Sequence, residues 1–149
     1  MKQKKCFSRK IIFQWFKSKN FLKNKSVLIT AGTGSLGNEL TYFLLKNYAL
    51  RKIVIFSRDE LKQFEHRKKF KTLDKRNTLR YFLGDVRDAD RLKFGFKGID
   101  IVIHAAALKH VDQAEYNPYE FINTNINGAK NVIQACLQND VSKVIALST

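Results

Sequence analysis

The feature of this sequence that most constrains its fold is the alternation of short apolar runs with longer amphipathic or charged segments. The apolar runs predict five strands, at residues 27–31, 52–56, 79–83, 100–104 and 143–148. The segments between them predict helices over residues 36–48, 59–72, 88–94 and 120–139. Strands that are apolar on both faces belong to a parallel sheet covered by helices on each side. The sequence therefore predicts an α/β fold with a doubly wound parallel sheet of strand order 3-2-1-4-5.

The charged segment after the second strand predicts a helix that buries one apolar side. We expect Leu61, Phe64 and Phe70 to face inward from this helix. The segment over 120–139 carries apolar residues near helical spacing, namely Ile122, Ile126, Ala129, Val132, Ile133 and Leu137. It predicts one long helix that leads into the fifth strand.

Length and composition fit one globular domain in a reducing compartment. The chain has 149 residues, of which 44% are hydrophobic, and a single proline. No apolar run approaches the ~20 residues that span a bilayer, and no signal peptide is evident. Cys6 and Cys136 are far apart and lack the spacing of metal ligands, so we expect free thiols and no bound metal. These features predict a cytoplasmic protein.

The positive charge of the chain is large and unevenly placed. The formal net charge is +15. Residues 1–26 hold nine Lys or Arg and no acid, and residues 51–80 hold eleven more against four acids. Such a field attracts nucleic acid, an anionic membrane or phosphorylated small molecules. A lysine-rich surface without any such partner explains the same composition.

Residues 1–25 form a basic leader that we predict to be amphipathic or disordered. Phe7, Ile11, Trp15 and Phe16 lie near one helical face with Lys and Arg around them. That pattern is typical of a helix lying at a membrane surface, and the alternative is an extra helix or loose tail on the domain. No nucleic-acid-binding motif accompanies the charge, so nucleic acid is not an expected partner.

The sequence ITAGTGSLGNEL at residues 29–40 places glycines where the first strand turns into the first helix. Backbone N–H groups of Thr33, Gly34, Ser35 and Gly37 would point at a phosphate, which the helix dipole favours. The context predicts a dinucleotide site, with a purely structural turn as the alternative.

Ala31 occupies the place where a first glycine is expected. If that position needs a positive φ, alanine costs on the order of 1 kcal/mol, unless Gly32 takes the turn instead. We expect weakened cofactor binding at most.

The end of the second strand selects the cofactor. Ser57 and Arg58 come first, and Asp59 and Glu60 follow. An acid there binds the ribose hydroxyl of NAD, whereas an arginine accommodates the extra phosphate of NADP. Asp59 is equally suited to be the N-cap of the next helix. The sequence therefore predicts NADP.

Six stretches together resemble one family: ITAGTGSLG, FSRDELKQFE, YFLGDVRD, IVIHAAALKHV, AEYNPYEFINTNINGAKNVI and VIALST. They resemble the extended short-chain dehydrogenase/reductases, and within them the inverting UDP-N-acetylglucosamine 4,6-dehydratases. The resemblance runs from about Lys25 to Thr149, and SRDELKQ and HAAALKHV are its most specific parts. It implies a Rossmann domain that binds NADP over residues 26–149 and serves nucleotide-sugar biosynthesis for pseudaminic acid, capsule or flagellin glycans.

The resemblance also implies site residues. Those at the pyrophosphate are Thr33, Gly34, Ser35, Leu36 and Gly37. Those at the adenosine phosphate are Ser57, Arg58, Asp59, Glu60, Leu61 and Lys62. Asp85 and Val86 would flank the adenine, Ala105 and Ala106 the middle of the cofactor, Asn125 would support it, and Lys109 would approach the substrate. Each has a structural alternative: a turn cap for Asp85, close packing for the alanines, and solvent exposure for Asn125 and Lys109. His104, at a strand end, is expected to be structural.

Family members carry out a redox-neutral elimination. NADP⁺ takes hydride from sugar carbon 4, a base removes the proton at carbon 5, water leaves carbon 6, and the hydride returns there. Thr149 matches the catalytic Thr of the family. The Asp-Lys pair and the Tyr and Lys that act with this Thr have no match among the 149 residues.

We therefore expect the domain to be incomplete at its C-terminus, with the fifth strand an exposed edge, and the chain alone to be inactive. The complete enzyme would take UDP-N-acetylglucosamine and form a homo-oligomer. The alternatives are a non-catalytic NADP-binding module, such as a pseudoenzyme subunit, and a basic membrane-surface protein on a decayed enzyme scaffold.

Overall fold

A computed structural model describes residues 21–147 as helices packed on both faces of one parallel sheet. Its strands are β1 (Ser26–Thr30), β2 (Lys52–Ser57), β3 (Leu79–Leu83), β4 (Ile101–His104) and β5 (Lys143–Ala146). They lie in the order β3-β2-β1-β4-β5, and every neighbouring pair is parallel. The strand order and fold class predicted from the sequence are confirmed.

Seven helical segments connect the strands in the described part of the chain. They are α1 (Ser35–Asn47), α2 (Glu60–Phe70), α3 (Ala89–Gly95), α4 (Val111–Tyr116), α5 (Pro118–Phe121), a π-helical turn (Ile122–Asn127) and α6 (Gly128–Gln138). The single long helix predicted over 120–139 is thus a π-helical turn followed by an α-helix. The helix α4, between β4 and Pro118, has no counterpart in the sequence prediction.

The core has two layers because side chains alternate across the sheet. Val27 and Ile29 face one layer, which α1 and α2 close, and Leu28 faces the other, which α3 and α6 close. The first layer contains Leu40, Leu44, Ile53, Ile55 and Phe70. The second contains Val54, Phe56, Leu92, Phe96 and Val132. Burial on both faces accounts for the continuous apolar runs in the sequence.

The inward face of α2 differs from the prediction. Phe70 is buried as expected, but Leu61 is 67% and Phe64 54% exposed. Gln63 and His66 are buried in their place. Both polar side chains have hydrogen-bond partners on the sheet, although Nε2 of His66 is buried without one among the described residues.

Parallel strands bring all their carboxyl ends to one edge of the sheet and all their amino ends to the other. No helix within residues 21–147 is long and apolar enough to cross a bilayer. Cys136 is a buried free thiol. The basic leader up to residue 20, Cys6 and Thr149 lie outside the described residues.

Candidate functional site

The turn after β1 is built on a residue in the left-handed region. Ala31 has φ +50°, and Gly32 does not share that conformation. The possibility that Gly32 takes the turn is therefore wrong. The carbonyl of Ala31 accepts a hydrogen bond from the N–H of Gly34 at 3.0 Å, which closes the turn.

The glycines of this turn are needed for close approach. A Cβ on Gly32 would lie 2.9 Å from Cγ2 of Ile55 on β2. A Cβ on Gly37 would overlap the carbonyl group of Gly32. The first turn of α1 therefore packs directly on the backbone that leaves β1, as the sequence predicts for a phosphate-binding turn.

The N-terminus of α1 is open to an anion. Gly34 is the N-cap and supplies no side chain, and the first turn holds no acid. Nδ2 of Asn38 donates to the carbonyls of Thr33 and Gly34, both at 2.9 Å, which fixes the turn from its other side. The first N–H groups of the helix are left for a ligand, and the helix dipole favours a negative one.

The end of β2 carries a carboxylate that caps the next helix and an arginine that is accessible to solvent. Asp59 is the N-cap of α2: its Oδ1 accepts from the N–H of Lys62 at 2.9 Å. This bond is the main cause that lowers the pKa of Asp59. The side chain of Arg58 is 61% exposed, and its guanidinium lies 3.8 Å from Asp85. Arg58 is therefore the freer of the two to meet a phosphate.

Asp85, after β3, is held ionised by arginines. Its carboxylate accepts from Nη2 of Arg87 at 2.8 Å and from the N–H of Arg87 at 3.0 Å. Partial burial raises the pKa of Asp85, but these bonds and the charges of Arg87 and Arg58 lower it below its usual value overall. The turn-cap role expected as an alternative for Asp85 is thus present.

The ends of β1 and β4 are joined by one hydroxyl. Oγ1 of Thr30 accepts from the N–H groups of Ala105 at 3.0 Å and Ala106 at 3.2 Å. It lies 2.9 Å from Nδ1 of His104, to which it therefore donates its proton. Burial lowers the pKa of His104 and so favours its neutral form. The two alanine N–H groups are engaged within the protein.

Asn125 positions the loop after β4. Its Oδ1 accepts from the N–H of Leu108 and its Nδ2 donates to the carbonyl of Leu108, both at 2.8 Å. Leu108 lines the candidate site, so Asn125 acts on that site through the loop. Lys109, the next residue, is exposed and lies outside the cavity lining.

Thr124 brings an unpaired hydroxyl to the same place. It lies in the π-helical turn, its side chain is 6% exposed, and it lines the cavity. Its Oγ1 is buried and has no hydrogen-bond partner among the described residues. A π-helical turn inside a helix is often found at a functional site. An unpaired buried hydroxyl costs free energy unless a ligand satisfies it.

These elements surround a cavity of about 520 Å³ at the carboxyl edge of the sheet. That volume lies in the range of small-molecule and cofactor sites. Ten predicted cofactor residues line it: Thr33, Gly34, Ser35, Ser57, Arg58, Asp59, Lys62, Asp85, Val86 and Ala106. The other predicted residues of the described chain lie outside the lining: Leu36, Gly37, Glu60, Leu61, Ala105, Lys109 and Asn125.

Two residues of the site were missed from the sequence. Gln63 donates from Nε2 to the carbonyls of Ser57 and Phe82, both at 3.1 Å, and so ties the carboxyl ends of β2 and β3 together. A polar residue at helical spacing from Phe70 was the available signal. Thr124 adjoins Asn125 in the sequence, but only the π-helical geometry sets it apart. Among residues 21–147, no group of His, Cys, Asp or Glu could hold a metal ion.

Comparisons with known proteins agree with this geometry. Residues 27–149 match the family described as polysaccharide biosynthesis protein. Over 125 residues the chain is 58% identical to a UDP-N-acetylglucosamine 4,6-dehydratase (inverting) of Campylobacter jejuni subsp. jejuni serotype O:23/36, covering 84% of this chain and 36% of that protein.

Solved structures show the same fold. The X-ray structure of Pen from Bacillus thuringiensis superposes with a TM-score of 0.78 at 41% identity, over 85% of this chain and 37% of that one. A double mutant of DesIV, a dTDP-glucose 4,6-dehydratase from Streptomyces venezuelae solved with NAD and DAU bound, gives a TM-score of 0.69 at 25% identity, over 83% and 39%. The chain thus spans a little over a third of the length of the relatives it matches.

Proposed function

The chain belongs to the polysaccharide biosynthesis protein family, and we propose that it is the cofactor-binding part of an inverting UDP-N-acetylglucosamine 4,6-dehydratase that uses NADP. The observation that carries the proposal is the cavity at the carboxyl edge, where the uncapped N-terminus of α1 meets Arg58 and Thr124. The 58% identity to the C. jejuni dehydratase supports the choice of substrate and reaction.

The residues present fit a dinucleotide. The N–H groups at the start of α1 would hold the pyrophosphate, because no side chain or acid of that turn competes for them. Val86 and Ala106 offer apolar surface, and the hydroxyl of Thr124 offers a hydrogen bond. When bound, NADP⁺ would supply the hydride acceptor and donor for the redox-neutral elimination.

The choice of NADP over NAD rests on the end of β2. The carboxylate of Asp59 is engaged as a helix cap and in an ion pair with Lys62 at 3.5 Å. It is therefore poorly placed to bind the ribose diol of NAD. Arg58 is exposed and pairs weakly, so its guanidinium can bind a 2′-phosphate at little cost.

The catalytic step is proposed to need more than these residues. Thr149 is the proposed catalytic Thr and lies outside the described residues. By the resemblance, the tyrosine and lysine that act with it, and most of the sugar site, would lie in the part of the relatives that this chain does not span. We accordingly expect no turnover of UDP-N-acetylglucosamine by the 149-residue chain. A cytoplasmic location fits Cys136, a free thiol whose pKa burial raises to about 11.

The experiment is a calorimetric titration of the chain with NADP⁺ and NAD⁺. We expect NADP⁺ to bind more tightly. We expect Arg58→Ala to weaken NADP⁺ by about 10- to 100-fold, the range of one charge-assisted contact, and to leave NAD⁺ unchanged. Lys130→Ala, at an exposed position on α6, is the matched control. Tighter binding of NAD⁺ by the parent chain, or an equal loss for both cofactors in Arg58→Ala, would contradict the assignment.

A further inference from the structure

The charge of this domain is polarised across the sheet. Five segments lie at the amino ends of the strands, a surface here named the amino edge: residues 21–25, 46–52, 71–80, 93–100 and 139–143. Together they hold twelve Lys or Arg and three acids. The segments after the carboxyl ends of β1 to β4 are residues 31–35, 58–62, 84–88 and 105–112, and they hold four Lys or Arg and five acids. At the carboxyl edge, where the cofactor cavity lies, positive and negative side chains nearly cancel. The excess of positive charge lies at the amino edge.

The three acids of the amino edge do little to neutralise it. Asp100 pairs with Arg51 at 3.1 Å and Lys25 at 3.7 Å. The carboxylate of Asp74 accepts the N–H groups of Thr78 at 2.7 Å and Leu79 at 2.8 Å, so it serves the loop before β3. Asp140, the third, is an exposed turn residue with φ +53°.

Four of the cations, around the loop before β3, face solvent and do not pair with an acid of the described chain. Lys71, Lys75, Arg76 and Arg80 are exposed, and none takes part in an ion pair among the described residues. They border two adjacent cavities, of about 550 and 410 Å³, on either side of the loop at Asp74. The pKa of Lys52 is lowered by burial and then by the charges of Arg51 and Arg80, although the charge of Asp100 opposes the shift.

Helix stabilisation explains only part of this charge. Cations in the last turn of a helix interact favourably with its dipole, and Lys46 and Lys93 are so placed. That effect falls off within the last turn. Lys75 and Arg76 follow the end of α2 by several residues, and Lys23 and Lys97 are in turns. The helix dipoles therefore do not account for the charges of Lys23, Lys75, Arg76 and Lys97.

We propose that the amino edge binds an anionic lipid surface. A set of mostly lysine cations fits a fluid layer of negative headgroups, where each cation contributes without a fixed geometry. Nucleic acid fits less well, because its phosphates are bound by helix N-termini and backbone N–H groups as well as by Arg and Lys side chains. The amino edge instead presents the C-termini of helices, and nine of its twelve cations are lysines and three are arginines.

The preceding sequence supports a lipid rather than another anionic partner. Leu22 is fully buried in the core, and the N–H of Asn24 donates to the carbonyl of Ala49 at 2.9 Å, so the chain enters the domain at the amino edge. Residues 1–20 carry seven Lys or Arg and no acid, interleaved with Phe7, Ile11 and Trp15. Membrane association is stable when two signals act together, here the apolar residues of the preceding sequence and the polybasic surface of the domain. Bound in this way, the protein would hold its cofactor cavity away from the lipid.

The test measures how the purified 149-residue chain partitions onto vesicles by co-sedimentation at ~0.1 M salt. One set of vesicles is phosphatidylcholine alone, and the other contains one third phosphatidylglycerol. We expect binding to the anionic set only. Lys75→Glu with Arg76→Glu should lower the partition coefficient by at least about 30-fold, since two surface cations are lost.

The matched control is Lys109→Glu with Lys130→Glu, which makes the same charge change at exposed positions away from the amino edge. This variant should bind like the parent, and the melting temperature of each variant shows that it is folded. Three results overturn the proposal: undiminished binding by the first variant, an equal loss in both variants, or binding of single- or double-stranded nucleic acid without binding of anionic vesicles.

Discussion

Replacing Thr124 with valine removes one buried oxygen and preserves the shape of the side chain. In the free protein, Oγ1 of Thr124 is buried and has no hydrogen-bond partner among the described residues. An unsatisfied buried polar group costs about 1–3 kcal/mol. The free energy of unfolding of Thr124→Val should therefore exceed that of the parent by at least about 1 kcal/mol. This difference corresponds to a melting temperature raised by about 2–4 °C.

Binding should change in the opposite direction. Thr124 lines the proposed cofactor cavity, and a ligand there would supply the missing partner. One hydrogen bond contributes about 0.5–1.5 kcal/mol net, so Thr124→Val should lower the affinity for NADP⁺ by about 2- to 10-fold. If Thr124 had only a packing role, its replacement with valine would not raise stability and also lower the affinity for NADP⁺.

The assay pairs thermal melts without cofactor with a titration of NADP⁺. Thr124→Ser keeps the hydroxyl and loses the methyl group, so it should bind like the parent and be less stable. If the valine variant is less stable without cofactor, the hydroxyl has a partner in the folded chain. If affinity is unchanged, the hydroxyl does not contact the cofactor.

Two further predictions concern the backbone and the pH dependence of stability. Ala31→Gly should raise the free energy of unfolding by about 0.5–1 kcal/mol, because glycine relieves the strain of φ +50°. Part of that gain is lost, because glycine makes the unfolded chain more flexible. Denaturant melts measure the difference, and a less stable variant would contradict the prediction. Burial and the charge of Lys69 lower the pKa of His66 to about 4. The unfolded chain thus binds the proton first as pH falls, so stability is full above pH ~6.5 and declines by up to roughly 3 kcal/mol towards pH ~4. In His66→Gln, stability should decline much less with falling pH, and the decline that remains comes from His104, whose pKa burial also lowers. An unchanged dependence of stability on pH would exclude His66 as its source.

The sheet was predictable because its signals are local. Each strand is a short run that is apolar on both faces, and Leu79–Leu83 has the same bounds in sequence and structure. Connection length and handedness then restrict the strand order. The position of the cofactor cavity follows from that order, since the glycine turn, Arg58 and Asp85 all succeed strands whose carboxyl ends meet.

The side chains that complete the site depended on contacts distant in sequence. Local hydrophobicity places Leu61 and Phe64 of α2 inward, yet Gln63 is buried instead, because the carbonyls of Ser57 and Phe82 on neighbouring strands satisfy its amide. The left-handed φ of Ala31 is imposed by the approach of α1 to the backbone of β1.

Thr124 shows the same limit. An ideal α-helical period over residues 120–139 cannot distinguish it from its neighbours, and the π-helical turn that buries it shifts the phase of the helix. The sequence by itself determined which segments are strands and which edge binds, because those follow from the pattern of apolar residues along the chain. Only the tertiary structure decided which polar atoms are buried and which remain unpaired, because that depends on partners brought together by folding.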